Sequence, residues 1–144
     1  MDYKLALENV YVETANLASA FQRMLNEPKS KQKGAPYIDE FVVLNQILFS
    51  YLASLASSFE GGDAKQNIGV EHLKRIRRTK QLLLGSIENI DQKTFQIAFE
   101  WPDITEITSQ ESSEALFIQG QLELIEKVSE DLGEISITLG TLAN

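Results

Sequence analysis

The chain has 144 residues, 43% of them hydrophobic and 24% charged, which is the length and composition of one folded domain able to bury a core. With no cysteine and one histidine, it excludes disulfides, thiol catalysis, thiolate metal sites and any site needing two imidazoles. The net charge of −8 is uneven: residues 1–101 balance, whereas 102–144 set Lys127 alone against nine acids.

The N-terminal Met-Asp-Tyr-Lys-Leu-Ala-Leu-Glu reads as no signal peptide, because acids interrupt it before an apolar run can form. Residues 2–26 are predicted to be a helix. Tyr3, Leu7, Val10, Thr14, Leu17, Phe21 and Met24 follow spacings of four and three on one face. Ala15, Ala18 and Ala20 beside that stripe would let a neighbouring helix come close. Pro28 disfavours helical geometry at Glu27 and should stop the helix. Residues 28–37, with three lysines and two prolines, read as a basic loop.

The second helix is expected over 38–60, ended by Gly61-Gly62-Asp63. Phe41 to Phe59 holds no charge over a length that could span a membrane. Its Asn45, Gln46 and four serines favour a central, well-buried bundle helix instead. At least one of Asn45 and Gln46 is expected to be buried and bonded to a neighbouring helix. Residues 61–67 read as a polar linker.

The third helix is predicted over 68–91. Ile76, Leu83 and Ile90 recur every seven residues, and Leu73, Lys80 and Ile87 form the adjacent row. Its first half carries Lys74, Arg75, Arg77, Arg78 and Lys80, and His72 reads as a surface or boundary residue. In 92–108 Phe95, Ile97, Phe99 and Trp101 alternate at a strand period. A lone strand would be marginal, so a helical continuation or an irregular segment is preferred. Thr108 and Glu111 have the form of a capping box, which places the fourth helix over about 109–142. There Ile118, Ile125, Leu132 and Leu139 repeat every seven, with Leu122, Val128, Ile135 and Leu142 alongside. These elements predict an all-α fold, a single-domain antiparallel up-down four-helix bundle over 1–144. The expected core is Tyr3, Leu7, Phe21, Met24, Phe41, Leu44, Leu48, Leu55, Leu83, Ile118, Ile125, Leu132 and Leu139.

No catalytic, cofactor or metal site is read from the residues. His72 has no glutamate three residues before it and no second histidine, so a di-metal carboxylate bundle does not fit. No phosphate-cradling loop or nucleophile motif is present. The basic cluster Lys74, Arg75, Arg77, Arg78 and Lys80 is the sharpest electrostatic feature. It could meet an anionic lipid surface, an anionic ligand or a partner, or it could offset the acidic fourth helix, helped by a Glu71–Arg75 pair. The offsetting role is the preferred reading. An acidic chain with no aromatics among its basic residues argues against nucleic acid.

Two stretches carry a family resemblance. Residues 15–28, Ala-Asn-Leu-Ala-Ser-Ala-Phe-Gln-Arg-Met-Leu-Asn-Glu-Pro, and residues 40–57, with Phe-x-x-Leu-Asn, resemble the soluble part of FUSC-type bacterial inner-membrane proteins. These are fusaric-acid-resistance-like, aromatic-acid-exporter-like proteins. The motif positions are Arg23, Met24, Glu27, Pro28, Leu44 and Asn45, and the matches span under a third of the chain. Where members carry a basic run and a histidine before the first motif, this chain has Leu7, Glu8, Asn9 and Tyr11. Where they have histidine after Leu-Asn it has Gln46, so no imidazole role carries over. The resemblance implies a non-enzymatic cytoplasmic regulatory or oligomerisation domain of an exporter of small aromatic or organic acids. Its implied partners are the membrane-spanning part of the same protein and further copies of the chain, on the cytoplasmic side of the inner membrane. A stand-alone helical interaction module, or a small-acid-binding domain using the third-helix arginines, are the alternatives.

Overall fold

The computed structural model describes residues 3–60, 68–91 and 112–143. Among the described residues four α-helices make the fold: α1 (Tyr3–Leu25), α2 (Ala35–Ser58), α3 (Val70–Asp91) and α4 (Ser113–Ala143). The expected all-α, four-helix architecture is what is found, and no strand occurs among the described residues. The strand-period aromatics of 92–108 and the Thr108–Glu111 capping box lie outside the described residues.

Local chemistry explains the helix ends. The first helix stops at Leu25, three residues before Pro28, and the amides of Asn26 and Glu27 donate back to the carbonyls of Arg23 and Met24. The Gln32 side-chain amide closes that end by donating to the carbonyls of Leu25 at 3.0 Å and Glu27 at 2.7 Å. The basic loop is shorter than expected. It holds a 3-10 turn at Lys29–Lys31, and α2 begins already at Ala35. Gly34 caps α2 at φ 71°, a backbone conformation that glycine adopts without a Cβ penalty, and Pro36 sits in the first turn. The fourth helix starts at Ser113 rather than 109, and Ser112 supplies its cap, its Oγ accepting from the Ala115 amide at 3.0 Å.

The main helix interfaces are α3 on α4, α4 on α2, and α2 on α1. The core is therefore centred on α4. Ile118, Leu122, Ile125, Val128, Leu132 and Ile135 are buried there, and Leu48 of α2 joins them. Each such aliphatic side chain contributes about 1.5–3 kcal/mol on leaving water. Of the expected core, Leu7, Met24, Phe41, Leu44, Leu55, Leu83 and Leu139 are half-buried, and Phe21, Leu48, Ile118, Ile125 and Leu132 are buried.

The placement of α2 differs from expectation. It is long and apolar enough to cross a membrane, with a mean hydropathy of 1.4 over its best window, yet only 11% of that window is buried. Its buried residues are Val42 and Leu48. The central helix is α4, which carries a second row beside its aliphatic one, with Glu126, Ser129, Ser136 and Gly140 buried and Gly133 half-buried, spaced three and four apart. That second row gives α4 two contact faces.

Helix directions follow from the residue pairs. Leu142, near the end of α4, packs its Cδ1 over Gly34, so α2 and α4 are antiparallel. Lys4 reaches Glu60 at 3.7 Å and Tyr11 meets Phe49 at 5.6 Å between centroids, so α1 and α2 form an antiparallel hairpin. The last pair departs from the up-down pattern. His72 bonds Ala115, Arg75 bonds Glu126, and Asn89 bonds Ser136, so residue numbers rise together and α3 runs parallel to α4. The expected antiparallel neighbour does not hold for this pair, and the length of residues 92–111, which join α3 to α4, permits either direction.

Candidate functional site

The basic cluster of α3 meets the acids of α4. Glu123, Glu126 and Glu130 are spaced three and four apart and so share one face of α4. Arg75 Nη1 donates to Glu126 Oε2 at 2.9 Å, and its Nη2 lies 3.3 Å from Glu123 Oε1. Arg78 Nε lies 3.2 Å from Glu126 Oε1, and its Nη2 donates to Glu130 Oε1 at 3.0 Å. Glu126 is only 9% exposed, so each of its oxygens takes a guanidinium in place of water. Lys74 bonds Glu71 at 2.9 Å, taking the partner expected for Arg75, which turns to α4 instead. The Lys74 hydrogen bond and charge hold the Glu71 carboxyl below the usual carboxylate range. Arg77 is exposed and Lys80 half-buried, and neither lacks a partner. Arg75 and Arg78 thus spend their forks within the fold.

His72 is not at the surface. It is 5% exposed, with Nδ1 accepting from the Gly69 amide at 2.8 Å and Nε2 donating to the Ala115 carbonyl at 3.0 Å. Both ring nitrogens are used to tie the start of α3 to the start of α4, and the pattern requires the neutral Nε2–H tautomer. Thr79 and Ser86 follow His72 at intervals of seven and are likewise buried. Across from them Ser129 and Ser136 are fully buried, with hydroxyls donating to the carbonyls of Ile125 and Gly133. The α3–α4 contact is therefore built on small and polar residues. Among the described residues, no group of three His, Cys, Asp or Glu side chains is placed to hold a metal ion.

The motif residues of the family resemblance scatter rather than converge. Arg23 is exposed in the last turn of α1, and Met24 is half-buried. Glu27 and Pro28 are exposed in the connection, and Leu44 packs on the core. Asn45 is half-buried and donates to the Phe41 carbonyl of its own helix at 2.7 Å, while Gln46 is exposed. Neither amide bonds a neighbouring helix as expected: Asn45 reaches the carbonyl one turn back, and Gln46 faces solvent.

A surface that the sequence reading did not single out lies on the α1–α2 hairpin, facing away from α4. It holds Tyr11, 60% exposed, with Val43, Ile47 and Ser50 also exposed and Ser54 half-buried. A groove of about 380 Å³ runs along it, lined in part by Leu7, Tyr11, Phe49, Ala53 and Ala56 and rimmed by Lys4, Glu8 and Glu60. The hydroxyls of Ser50, Ser57 and Ser58 on α2 are already satisfied within the helix. Ser50 donates to the Gln46 carbonyl at 2.9 Å, and Ser57 to the Ser54 carbonyl at 2.7 Å. Covering this face therefore strands none of those hydroxyls. Residues 41–59 carry no charge, and residues 9–22 of α1 carry only Glu13. The uncharged run was visible in the sequence, but nothing in composition says which side of such a helix is left uncovered. No family model, curated protein or solved structure matches the chain.

Proposed function

We propose that the chain is a non-enzymatic helical interaction domain whose working surface is the outer face of the α1–α2 hairpin. The observation that carries this is α2, the most apolar helix of the fold, with only 11% of its apolar window buried. In a chain of 24% charged residues, two adjacent helices nearly free of charge over their middle turns present a surface suited to docking. The α3–α4 ion pairs support the same reading, because they consume the arginines that would otherwise recognise an acid.

The FUSC-type resemblance supplies a setting for that surface: a cytoplasmic regulatory or oligomerisation domain attached to the membrane-spanning part of a bacterial inner-membrane exporter. Reading the genomic frame upstream of Met1 tests the setting. Several apolar spans in frame are expected, and a stop codon directly before Met1 would remove it. The docking role is tested on the chain itself by comparing it with the Val43→Lys/Ile47→Lys variant. The unaltered chain is expected to self-associate or to sediment with phosphatidylcholine–phosphatidylglycerol vesicles. The variant should do neither, while keeping its helical circular dichroism and unfolding midpoint. An unaltered chain that stays monomeric and leaves the vesicles unbound overturns the proposal.

A further inference from the structure

Resting on that docking role, we infer that the occupant of the outer hairpin face is a second copy of this chain, with the two α2 helices crossing antiparallel about a two-fold axis near Ile47 and Ser50. The stripe Val43, Ile47, Ser50, Ser54 runs at helical spacing along the outer side of α2, with two branched aliphatics at one end and two small hydroxyl residues at the other. An antiparallel copy lays aliphatic on serine and serine on aliphatic, so large side chains meet small ones along the whole stripe. A parallel copy sets valine on valine and leaves the serines facing each other across a gap.

Charge selects the same direction. The loop end of the hairpin, residues 23–40, carries Arg23, Lys29, Lys31 and Lys33 against Glu27, Asp39 and Glu40, a net of +1. The open end, over residues 3–8 and 55–60, carries Lys4 against Glu8 and Glu60, a net of −1. Antiparallel pairing brings unlike ends together, and parallel pairing brings like ends together. The area is sufficient but not generous. Nineteen residues of helix span about 28 Å, and two helices side by side are about 20 Å wide, so the pair would bury on the order of 1,100 Å². That is just above what a specific interface needs, which makes the dimer weak and concentration-dependent.

The absence of cysteine makes the test clean. Light scattering on the full chain from low-micromolar to near-millimolar concentration should show the mass rise from one chain to two. Ile47→Glu, and independently the exposed-site change Ser50→Arg, should each hold it at one with unchanged unfolding. Under oxidation a Ser50→Cys chain should form a disulfide dimer, and an Asn16→Cys chain should not. When Val43→Cys and Ser54→Cys chains are mixed, the mixed disulfide should exceed either like pair several-fold. A chain monomeric throughout, crosslinking at Asn16 as fast as at Ser50, or a preference for like pairs would overturn the inference. A monomeric chain that binds phosphatidylcholine–phosphatidylglycerol vesicles through Ile47 would overturn self-pairing alone and leave the docking role intact.

Discussion

At Gly140 a single methyl group separates a close helix contact from a clash. A Cβ built there meets the Asn89 carbonyl oxygen, which belongs to backbone and cannot swing away. Gly120 and Gly85 sit in the same kind of helix interior with nothing near their missing Cβ. The same substitution should therefore change sign along the fold. Gly120→Ala and Gly85→Ala should stabilise by about 0.5–1 kcal/mol through helix propensity. Gly140→Ala should destabilise by about 1–3 kcal/mol as α3 is pushed off α4. Urea unfolding monitored by circular dichroism measures all three, and a stabilised Gly140→Ala would show that the helices are not in contact there. Thr79 makes a second point at this scale. Its buried hydroxyl oxygen has no hydrogen-bond partner, so Thr79→Val should raise stability by up to about 1 kcal/mol in the same assay.

Between elements, the question is which of the ion pairs matter. Glu126 is buried and shared by two arginines, whereas Arg78 and Glu130 meet near solvent. Breaking a buried pair leaves a desolvated charge, while an exposed pair contributes about 0–1 kcal/mol. Glu126→Gln should thus cost about 2–3 kcal/mol and Glu130→Gln under about 1 kcal/mol. A double-mutant cycle with Arg75→Ala should recover a coupling for Glu126 and none for Glu130, which Arg78 holds instead. Glu71 gives the pH sign. Lys74 lowers its folded pKa, so its small contribution is present above the unfolded carboxylate value and fades as the pH falls through the lowered folded value. An NMR titration of the Glu71 side chain should show that downward displacement, and Lys74→Ala should remove it. The acidic-on-basic facing of α3 and α4 was legible in the sequence because both sets are clustered and keep helical spacing. The seam beneath it was not, since His72, Thr79, Ser86, Ser129 and Ser136 leave no hydrophobic periodicity to count.

For the molecule as a whole, the number of helices and the apolar row of α4 could be read from spacing, but the direction of α3 could not. Direction is a property of the connection. Residues 92–111 link the end of α3 to the start of α4, and α3 itself, at 22 residues, is about 33 Å long. Twenty extended residues reach about 66 Å, so the chain can return to the start of α3 before α4 begins, and length alone permits either direction. What decides is pairing at both ends: His72 with Ala115 at one, Asn89 with Ser136 at the other. This can be checked covalently. Asn89 Nδ2 lies 3.2 Å from Ser136 Oγ, so the Asn89→Cys/Ser136→Cys chain should oxidise readily to an internal disulfide. An Asn89→Cys/Ser113→Cys chain should not, because parallel packing sets those positions nearly the length of α3 apart. If the helices ran antiparallel the result would invert, with position 89 finding the start of α4. Peptide mapping of the oxidised chains distinguishes the two. The disulfide closes a loop of nearly fifty residues, so the correctly paired chain should also gain about 4 kcal/mol against urea, less any strain in the bridge.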